Sequence, residues 1–476
     1  MNAGPPAFKP DWKDFRDHLG TADEQGRRQW IYPRKPRGRF YQRRVYLSWL
    51  LLGILFVNPL IKINGNPLLM LNVVTRRFSI LGHIFWPQDM ALLAVALLLF
   101  FTGIMIFTAA YGRLWCGWVC PQTLFMEMVF RRIEYKIEGD SRAQRALAAA
   151  PWTARKIRLK LAKHVIFFGL SFIIGNLLLS YIIGDDQLIG IITDNPARHL
   201  SGLAYLLVFT GLFYALFARF REQACTFICP YGRFQSTVID ENTLVVAYDQ
   251  KRGEQRGTLD RRQSTAQRRQ AGRGDCVDCN LCVAVCPTGI DIRDGIQMEC
   301  VSCTACIDAC DGVMARIHRP RGLIRYASLN SIERGEPFRW TPRMSGYAAV
   351  LTVLIGLFLF LVLTRSNVEA TLLRAPGAMF QELPSGNLIN LYTLQLVNKT
   401  SQPMPVQLKL EDIPGKLSIM GDPKPVVPGE QLVETSILIE LAPALLRDGP
   451  KKFNVGVYSQ GRRLQTVHTT FIGPRS

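Results

Sequence analysis

The chain has 476 residues, of which 20% are charged, and its formal net charge at pH 7 is +20. This length favours two to four folding units, and the positive mean hydropathy of +0.10 argues against a fully soluble protein. The basic residues concentrate in segments 1–44 and 111–163, which alternate with apolar runs. We therefore predict no nucleic-acid partner and attribute the charge to membrane orientation and attraction to anionic lipid head groups.

Five uncharged apolar stretches are each long enough to cross a hydrocarbon core of roughly 30 Å. The basic residues follow the positive-inside rule if the N-terminus lies on the cytoplasmic side of a bacterial inner membrane. Five crossings would then leave the chain after residue 364 in the periplasm. The predicted spans are residues 45–61, 90–110, 165–183, 202–218 and 346–364.

The twelve cysteines fall into four clusters on segments predicted to be cytoplasmic, and the predicted periplasmic tail has none. This placement opposes a disulfide framework and indicates metal-binding or redox thiols. The run "CVDCNLCVAVCPTGIDIRDGIQMECVSCTACIDACD", residues 276–311, contains C-x2-C-x2-C-x3-C twice, the bacterial spacing for [4Fe–4S] clusters. Paired zinc sites are the alternative, but zinc does not require this rhythm.

In a two-cluster module the fourth cysteine of each motif binds the other cluster. We predict one cluster on Cys276, Cys279, Cys282 and Cys310, and the other on Cys300, Cys303, Cys306 and Cys286. A proline follows the last cysteine of the first motif, but Asp311 follows the last cysteine of the second. The second motif is therefore slightly irregular.

Two similar phrases, "WCGWVCPQ" (115–122) and "ACTFICPY" (224–231), follow the second and fourth apolar stretches. On a helix, the i, i+4 pairs Cys116/Cys120 and Cys225/Cys229 would stack on one face. If the two helices are neighbours, four thiolates converge at the inner membrane surface, where soft sulfur ligands suit Cu(I). Dithiol–disulfide cycling and a third iron–sulfur cluster are the alternatives.

The remaining segments complete a multi-domain membrane protein of five transmembrane helices. We predict an amphipathic helix on the head groups at 124–139 and short alternating strands near the C-terminus, typical of an immunoglobulin-like β-sandwich. The predicted order is a basic arm (1–44), four spans with both cysteine phrases (45–249), a mobile linker (250–274), a 2[4Fe–4S] ferredoxin module (275–320), the fifth span (346–364) and the sandwich (366–476).

The arm "IYPRKPRGRF", both cysteine phrases, the run "CPTGIDIRDGIQMEC" and the sandwich tail together resemble the FixG/CcoG/RdxA family. The resemblance runs from about residue 30 to the C-terminus. It implies an accessory role in assembling cbb3-type cytochrome c oxidase, with Cu(II) reduced to Cu(I) before insertion. It also implies copper chaperones or a transporter and oxidase subunits as partners, and a possible homodimer.

Two other functions remain open. The double motif is also similar to membrane ferredoxin subunits of nitrate and nitrous-oxide pathways, so the chain could instead be a quinol-linked carrier feeding a periplasmic reductase. Alternatively it is a non-redox assembly scaffold. No Gly-rich nucleotide fingerprint follows a strand, so the sequence does not identify the electron donor.

Overall fold

The computed structural model describes most of the chain in two compact units. One unit comprises Met1–Ile61 and Leu93–Gly356, and the other comprises Lys62–Leu92 and Leu357–Ser476. Most of the predicted arm 1–44 lies outside the described residues. These are 25, 28–63, 66–72, 77–80, 82–85, 89–195, 197–259, 265–366, 368–375, 380–400, 402–422, 425–429, 431–446 and 450–473.

The first unit is mainly helical, and three π-helical turns in its described residues, Phe125–Phe130, Leu216–Phe220 and Ala224–Ile228, interrupt its helices. The α-helices of the described residues are α1 Arg39–Val57, α2 Met90–Tyr111, α3 Leu114–Trp118, α4 Pro121–Leu124, α5 Arg131–Ile137, α6 Ser141–Ala149, α7 Ala154–Ile183, α8 Asp185–Thr193, α9 Leu200–Ala215, α10 Pro230–Val238, α11 Gln250–Gly253, α12 Thr265–Gln270, α13 Leu281–Ala284, α14 Ala305–Arg316, α15 Leu329–Glu333 and α16 Pro342–Leu363.

Four helical segments of the described chain are long and apolar enough to cross a membrane, where five were predicted. They are Met90–Tyr111, Ala154–Ile183, Leu200–Phe220 and Pro342–Leu363. The predicted first span falls in α1, whose uncharged part runs only from Val45 to the last helical residue, Val57. At 1.5 Å per residue this is about 20 Å, which is shorter than the roughly 30 Å core. Arg44 at its start is buried in protein.

The C-terminal domain is the predicted β-sandwich. The strands of the described chain are β1 Lys62–Ile63, β2 Asn66–Pro67, β3 Leu69–Asn72, β4 Arg77–Ile80, β5 His83–Phe85, β6 Val245–Tyr248, β7 Ile324–Ala327, β8 Val368–Arg374, β9 Gln381–Glu382, β10 Leu388–Asn398, β11 Met404–Pro405, β12 Gln407–Leu410, β13 Lys416–Ile419, β14 Val426–Val427, β15 Leu432–Leu441, β16 Lys451–Ser459 and β17 Arg462–Phe471. Antiparallel sheets of order β13-β15-β10-β8, with β9 also on β10, and β12-β16-β17 share one apolar core.

Alternation along the strands builds this core. Leu388, Tyr392 and Leu394 point inward from β10, and Phe453 and Val455 do so from β16. Each is at most 2% exposed, so apolar side chains from both sheets fill the space between them. The Tyr392 hydroxyl donates to the carbonyl oxygen of Thr470 at 2.9 Å, which satisfies the polar end of a buried side chain.

The segment predicted to lie on head groups is instead inside the first unit. Phe130 is fully buried and stacks on Phe217, with ring centroids 4.6 Å apart. The polar side is satisfied internally, because Glu134 accepts from Arg221 at 2.7 Å and from Lys163 at 3.1 Å. Burial opposes ionisation of Glu134, but these two cations outweigh it and hold its pKa at about 2. Both faces of this amphipathic segment therefore pack against protein.

The segment predicted as a mobile linker, 250–274, packs on the ferredoxin module in its described residues. The buried Arg268 guanidinium donates to the carbonyl oxygen of Cys276 at 2.8 Å and to that of Gly257 at 2.7 Å. Arg252 pairs with Asp275 at 2.7 Å. These bonds fasten the segment to the start of the first cysteine motif.

Candidate metal centres

One cavity of the ferredoxin module is lined by the four cysteines of the first predicted set. Around them lie mainly apolar side chains, including Tyr248, Met314 and Ile324. Such walls leave sulfur as the main donor to a bound group, and Cys279 is the solvent-exposed member of the set. The four cysteines are Cys276, Cys279, Cys282 and Cys310.

A second cavity is lined by the four cysteines of the other predicted set, again with apolar neighbours. These are Cys286, Cys300, Cys303 and Cys306. Cys282 lines both cavities, so the two are adjacent. Each cavity thus contains three cysteines of one motif and the fourth cysteine of the other, in agreement with the predicted sets. The assignment of these cysteines as cluster ligands stays a prediction.

The two cysteine loops have the same unusual backbone. In the first loop Asp278 and Asn280 adopt left-handed conformations (φ 49° and 55°), and in the second Ser302 and Thr304 do so (φ 51° and 65°). Each pair flanks the middle cysteine of its motif. Non-glycine residues rarely adopt this conformation, and alternating handedness turns backbone N–H groups toward one point, where they stabilise anionic sulfur. The repeated winding fits an anionic iron–sulfur cluster in each loop.

The cavity thiols need a cation in order to ionise. Burial raises the pKa of Cys282, Cys303 and Cys310 to about 12 and that of Cys300 to about 11. Bound iron supplies the compensating charge, since a coordinated thiol is deprotonated outright. Within the described residues, no three Cys, His, Asp or Glu side chains already stand close enough to hold a metal ion.

The two membrane-edge phrases share a local structure that differs from the predicted single helix. The second cysteine of each phrase donates its backbone N–H five residues back, Cys120 to Trp115 at 3.0 Å and Cys229 to Ala224 at 2.9 Å. Such i→i−5 bonds are π-helical and frequent at functional sites. A proline then starts a new helix, α4 or α10, directly after each of these cysteines.

The four phrase thiols are close enough to influence each other. Burial raises the pKa of Cys116 to about 12, and the charges of Cys120 and Cys229 raise it further, whereas Arg113 opposes the shift. Cys225 has a pKa of about 12 for the same main cause, with Cys120 and Cys116 adding to it. Neighbouring thiolates that repel each other are stabilised by a shared cation.

The first phrase packs directly on the second cysteine loop. A Cβ on Gly117 would overlap the carbonyl oxygen of Val301 and lie 2.9 Å from that of Ser302, so the backbones meet only because residue 117 is glycine. Cys116 packs against the apolar group that contains Val301 and Cys303. No segment separates the phrase from this loop.

Two buried arginines hold this junction. Arg44 of α1 donates from Nε to the carbonyl oxygen of Gly117 at 2.5 Å, and its Nη1 lies 3.5 Å from that of Cys303. Arg113 donates to the carbonyl oxygen of Gly232 at 2.5 Å, beside the second phrase, and its charge also acts on Cys116 and Cys300. Arg113 therefore lies between the phrase thiols and the second cavity.

None of these supporting residues was predicted from the sequence. Gln235, four residues beyond the second phrase, accepts a weak hydrogen bond from the Cys116 thiol at 3.8 Å. Gly117, standing between two cysteines, was the one available signal, because a glycine there permits close backbone approach. Arg44 and Arg113 resemble ordinary basic residues at helix ends.

Three family models match the chain: a 4Fe-4S binding domain over residues 93–159, a 4Fe-4S dicluster domain over 220–329, and the IG-like fold at the C-terminal of FixG over 358–474. The first match contains the first cysteine phrase. The second contains the second phrase and both ferredoxin motifs. Together with the spans, these matches define a membrane-bound iron–sulfur electron-transfer protein with an immunoglobulin-like C-terminal domain.

Curated relatives narrow this class. Nitrogen fixation protein FixG of Rhizobium meliloti is 34% identical over 430 residues, which are 82% of this chain and 80% of the relative. From Cereibacter sphaeroides, protein RdxA is 34% identical over 81% of this chain and 83% of the relative, and protein RdxB is 32% identical over 86% and 87%. The chain belongs to the FixG family.

Proposed function

We propose that this protein reduces Cu(II) to Cu(I) at the paired membrane-edge thiols, in support of cbb3-type cytochrome c oxidase assembly. The observation that carries the proposal is the direct packing of Gly117 on Val301 and Ser302. It joins a soft-ligand site to a segment that carries cluster ligands. The oxidase role comes from the family resemblance.

The resident cofactors of the proposal are two [4Fe–4S] clusters, one on Cys276, Cys279, Cys282 and Cys310 and one on Cys286, Cys300, Cys303 and Cys306. When bound, they supply one-electron redox chemistry. The chain's own contribution is positional. Cys282 belongs to both cavities, and Val301 of the second loop touches the first phrase.

Copper is the substrate of the proposed reaction, and each ion takes one electron. Cys116, Cys120, Cys225 and Cys229 would hold it as thiolates, which favour Cu(I) over harder ions. The cation releases the thiols from the cost of ionising in buried surroundings. Arg113 lowers that cost further, because its charge favours the thiolate of Cys116.

The proposed location is the bacterial inner membrane, with the ferredoxin module in the cytoplasm and the 366–476 domain in the periplasm. α16 separates these two domains along the chain, and this sidedness requires α1 to cross as well, because the arm before it and the segment before α2 would lie on opposite sides of the membrane. The described part of the arm would share the module's side of the membrane, since the backbone N–H of Arg34 donates to the carbonyl oxygen of Ala284 at 2.7 Å. The proposed partners are copper chaperones or a transporter, oxidase subunits and a second copy of this chain.

A third cluster on the four phrase cysteines is the second candidate. The match of residues 93–159 to a 4Fe-4S binding domain favours it, because Cys116 and Cys120 are the cysteines within that range. Such a cluster would make the phrases a further electron carrier instead of a copper site. The total iron content separates the two candidates.

Metal analysis of the full chain, purified anaerobically in detergent and loaded with Cu(I), is the first test. Two clusters require about eight iron atoms per chain, and we expect copper to be retained in addition. In Cys116→Ser/Cys225→Ser the copper should be lost while the iron content is unchanged. About twelve iron atoms in the parent protein, falling by about four in the variant, would replace the copper site by a third cluster.

A further inference from the structure

A cavity of about 580 Å³ lies beside the second cysteine loop, within the usual size range of small-molecule sites. Its walls are largely apolar and include Ile239, Val246, Ile296 and Met298. Polar side chains, including Gln297 and Ser302, share the lining, and Arg113 is the one cation among its described lining residues. This combination suits a ring with polar substituents.

The cavity lies where two membrane spans end. Thr243, close to lining residues 239–241, donates its hydroxyl to the carbonyl oxygen of Ala109 at 2.9 Å, near the end of α2. Val238, between lining residues 237 and 239, packs against Met344 in the first turn of α16. A ligand with an apolar tail can therefore leave the tail in lipid and place its head here.

The cavity shares a wall with the second cluster site. Cys300 and Val246 line both cavities. A ring bound in this cavity would lie directly against a predicted cluster ligand. No other structural element needs to move to bring the two together.

We propose that this cavity binds the ring of an isoprenoid quinol, the electron donor that the proposed copper reduction requires. The apolar walls would hold the ring, and the Arg113 guanidinium would donate to a ring oxygen. Nucleotide donors carry several negative charges, and Glu241 in the lining opposes them, whereas Asp240 is paired with Arg343 at 3.1 Å. The role of the quinol as electron donor rests on the proposed copper reduction, whereas quinol binding in this cavity does not.

The overall reaction balances. One quinol is oxidised to a quinone and releases two electrons and two protons, and the electrons reduce two Cu(II) to two Cu(I). Glu241, which is exposed at the cavity, is placed to accept a proton and pass it to water.

Equilibrium binding of decylubiquinone to the full chain in detergent tests the site. Met298→Trp would fill the cavity from a half-exposed position, and we expect it to weaken binding at least tenfold. Met420→Trp, the same change at an exposed methionine of the C-terminal domain, should leave binding unchanged. Ile239→Trp serves as a second filling variant, and iron content checks that each variant is intact.

The outcomes separate this inference from the proposed function. Failure of the parent protein to bind decylubiquinone, or equal binding by the intact filling variants, would overturn the quinol site. Copper reduction driven by dithionite does not need this site. If quinone binds but dithionite-reduced protein leaves Cu(II) unchanged, the quinol site stands and the copper proposal fails.

Discussion

Cys116→Ser/Cys225→Ser is expected to lower the rate of Cu(II) reduction by at least about 100-fold. Changes in the outer shell of a metal site already cost 10–100-fold in affinity or activity, and this variant removes two direct ligands. Neither cysteine lines the two ferredoxin cavities. Iron content and visible absorption should therefore match those of the parent protein.

The contrasting variant is Cys279→Ser, which changes the first cavity and leaves all four phrase cysteines. It should lower iron content and yet retain Cu(I) binding. Copper reduction by Cys116→Ser/Cys225→Ser at the parent rate would exclude these thiols from the reaction. The copper would then have to be reduced elsewhere, for example at an exposed cluster.

Gly117→Ala is expected to slow copper reduction by about 10–100-fold with every cysteine in place. The new methyl group would overlap the carbonyl oxygen of Val301 and crowd that of Ser302. Because both of these atoms belong to the backbone, the phrase and the loop must separate. A displacement near 1 Å between reacting groups is sufficient for a loss of this size. The measurement is the single-turnover rate of Cu(II) loss from dithionite-reduced protein.

Gly312→Ala is the matched control, because a Cβ there meets no atom within 4 Å. It should leave the rate unchanged. Cu(I) affinity and iron content should be equal in Gly117→Ala and the parent, since no ligand is altered. A Gly117→Ala protein that reduces copper at the parent rate would show that this contact does not position the two sites.

Much of the architecture follows from local sequence patterns. Uninterrupted apolar residues predict α2, α7, α9 and α16, because a hydrocarbon core accepts little else. Strict alternation predicts the β-sandwich, where Tyr392 and its neighbours point inward from β10. The paired motif spacing predicts the two thiol sets, since that spacing is set by the shape of a cluster.

The remaining features depend on contacts between distant segments. The sequence of 124–139 predicts an amphipathic, surface-bound helix, but Arg221 from a turn and Lys163 from α7 pair with Glu134. The i, i+4 spacing of the phrases does not reveal that a π-helical bond and a following proline break the helix. The role of Gly117 depends on a loop almost two hundred residues later.

Freeze-quench EPR after mixing dithionite-reduced, desalted full-length protein with Cu(II) tests the central claim most directly. The account predicts that the Cu(II) signal and the signal of the reduced iron–sulfur centres disappear together, with Cu(I) recovered on the protein. In Cys116→Ser/Cys225→Ser both signals should persist. Persistence of both signals in the serine variant would show that copper gains its electron at the phrase thiols. Equally fast loss of both signals in the serine variant would contradict this and exclude these thiols from the reaction.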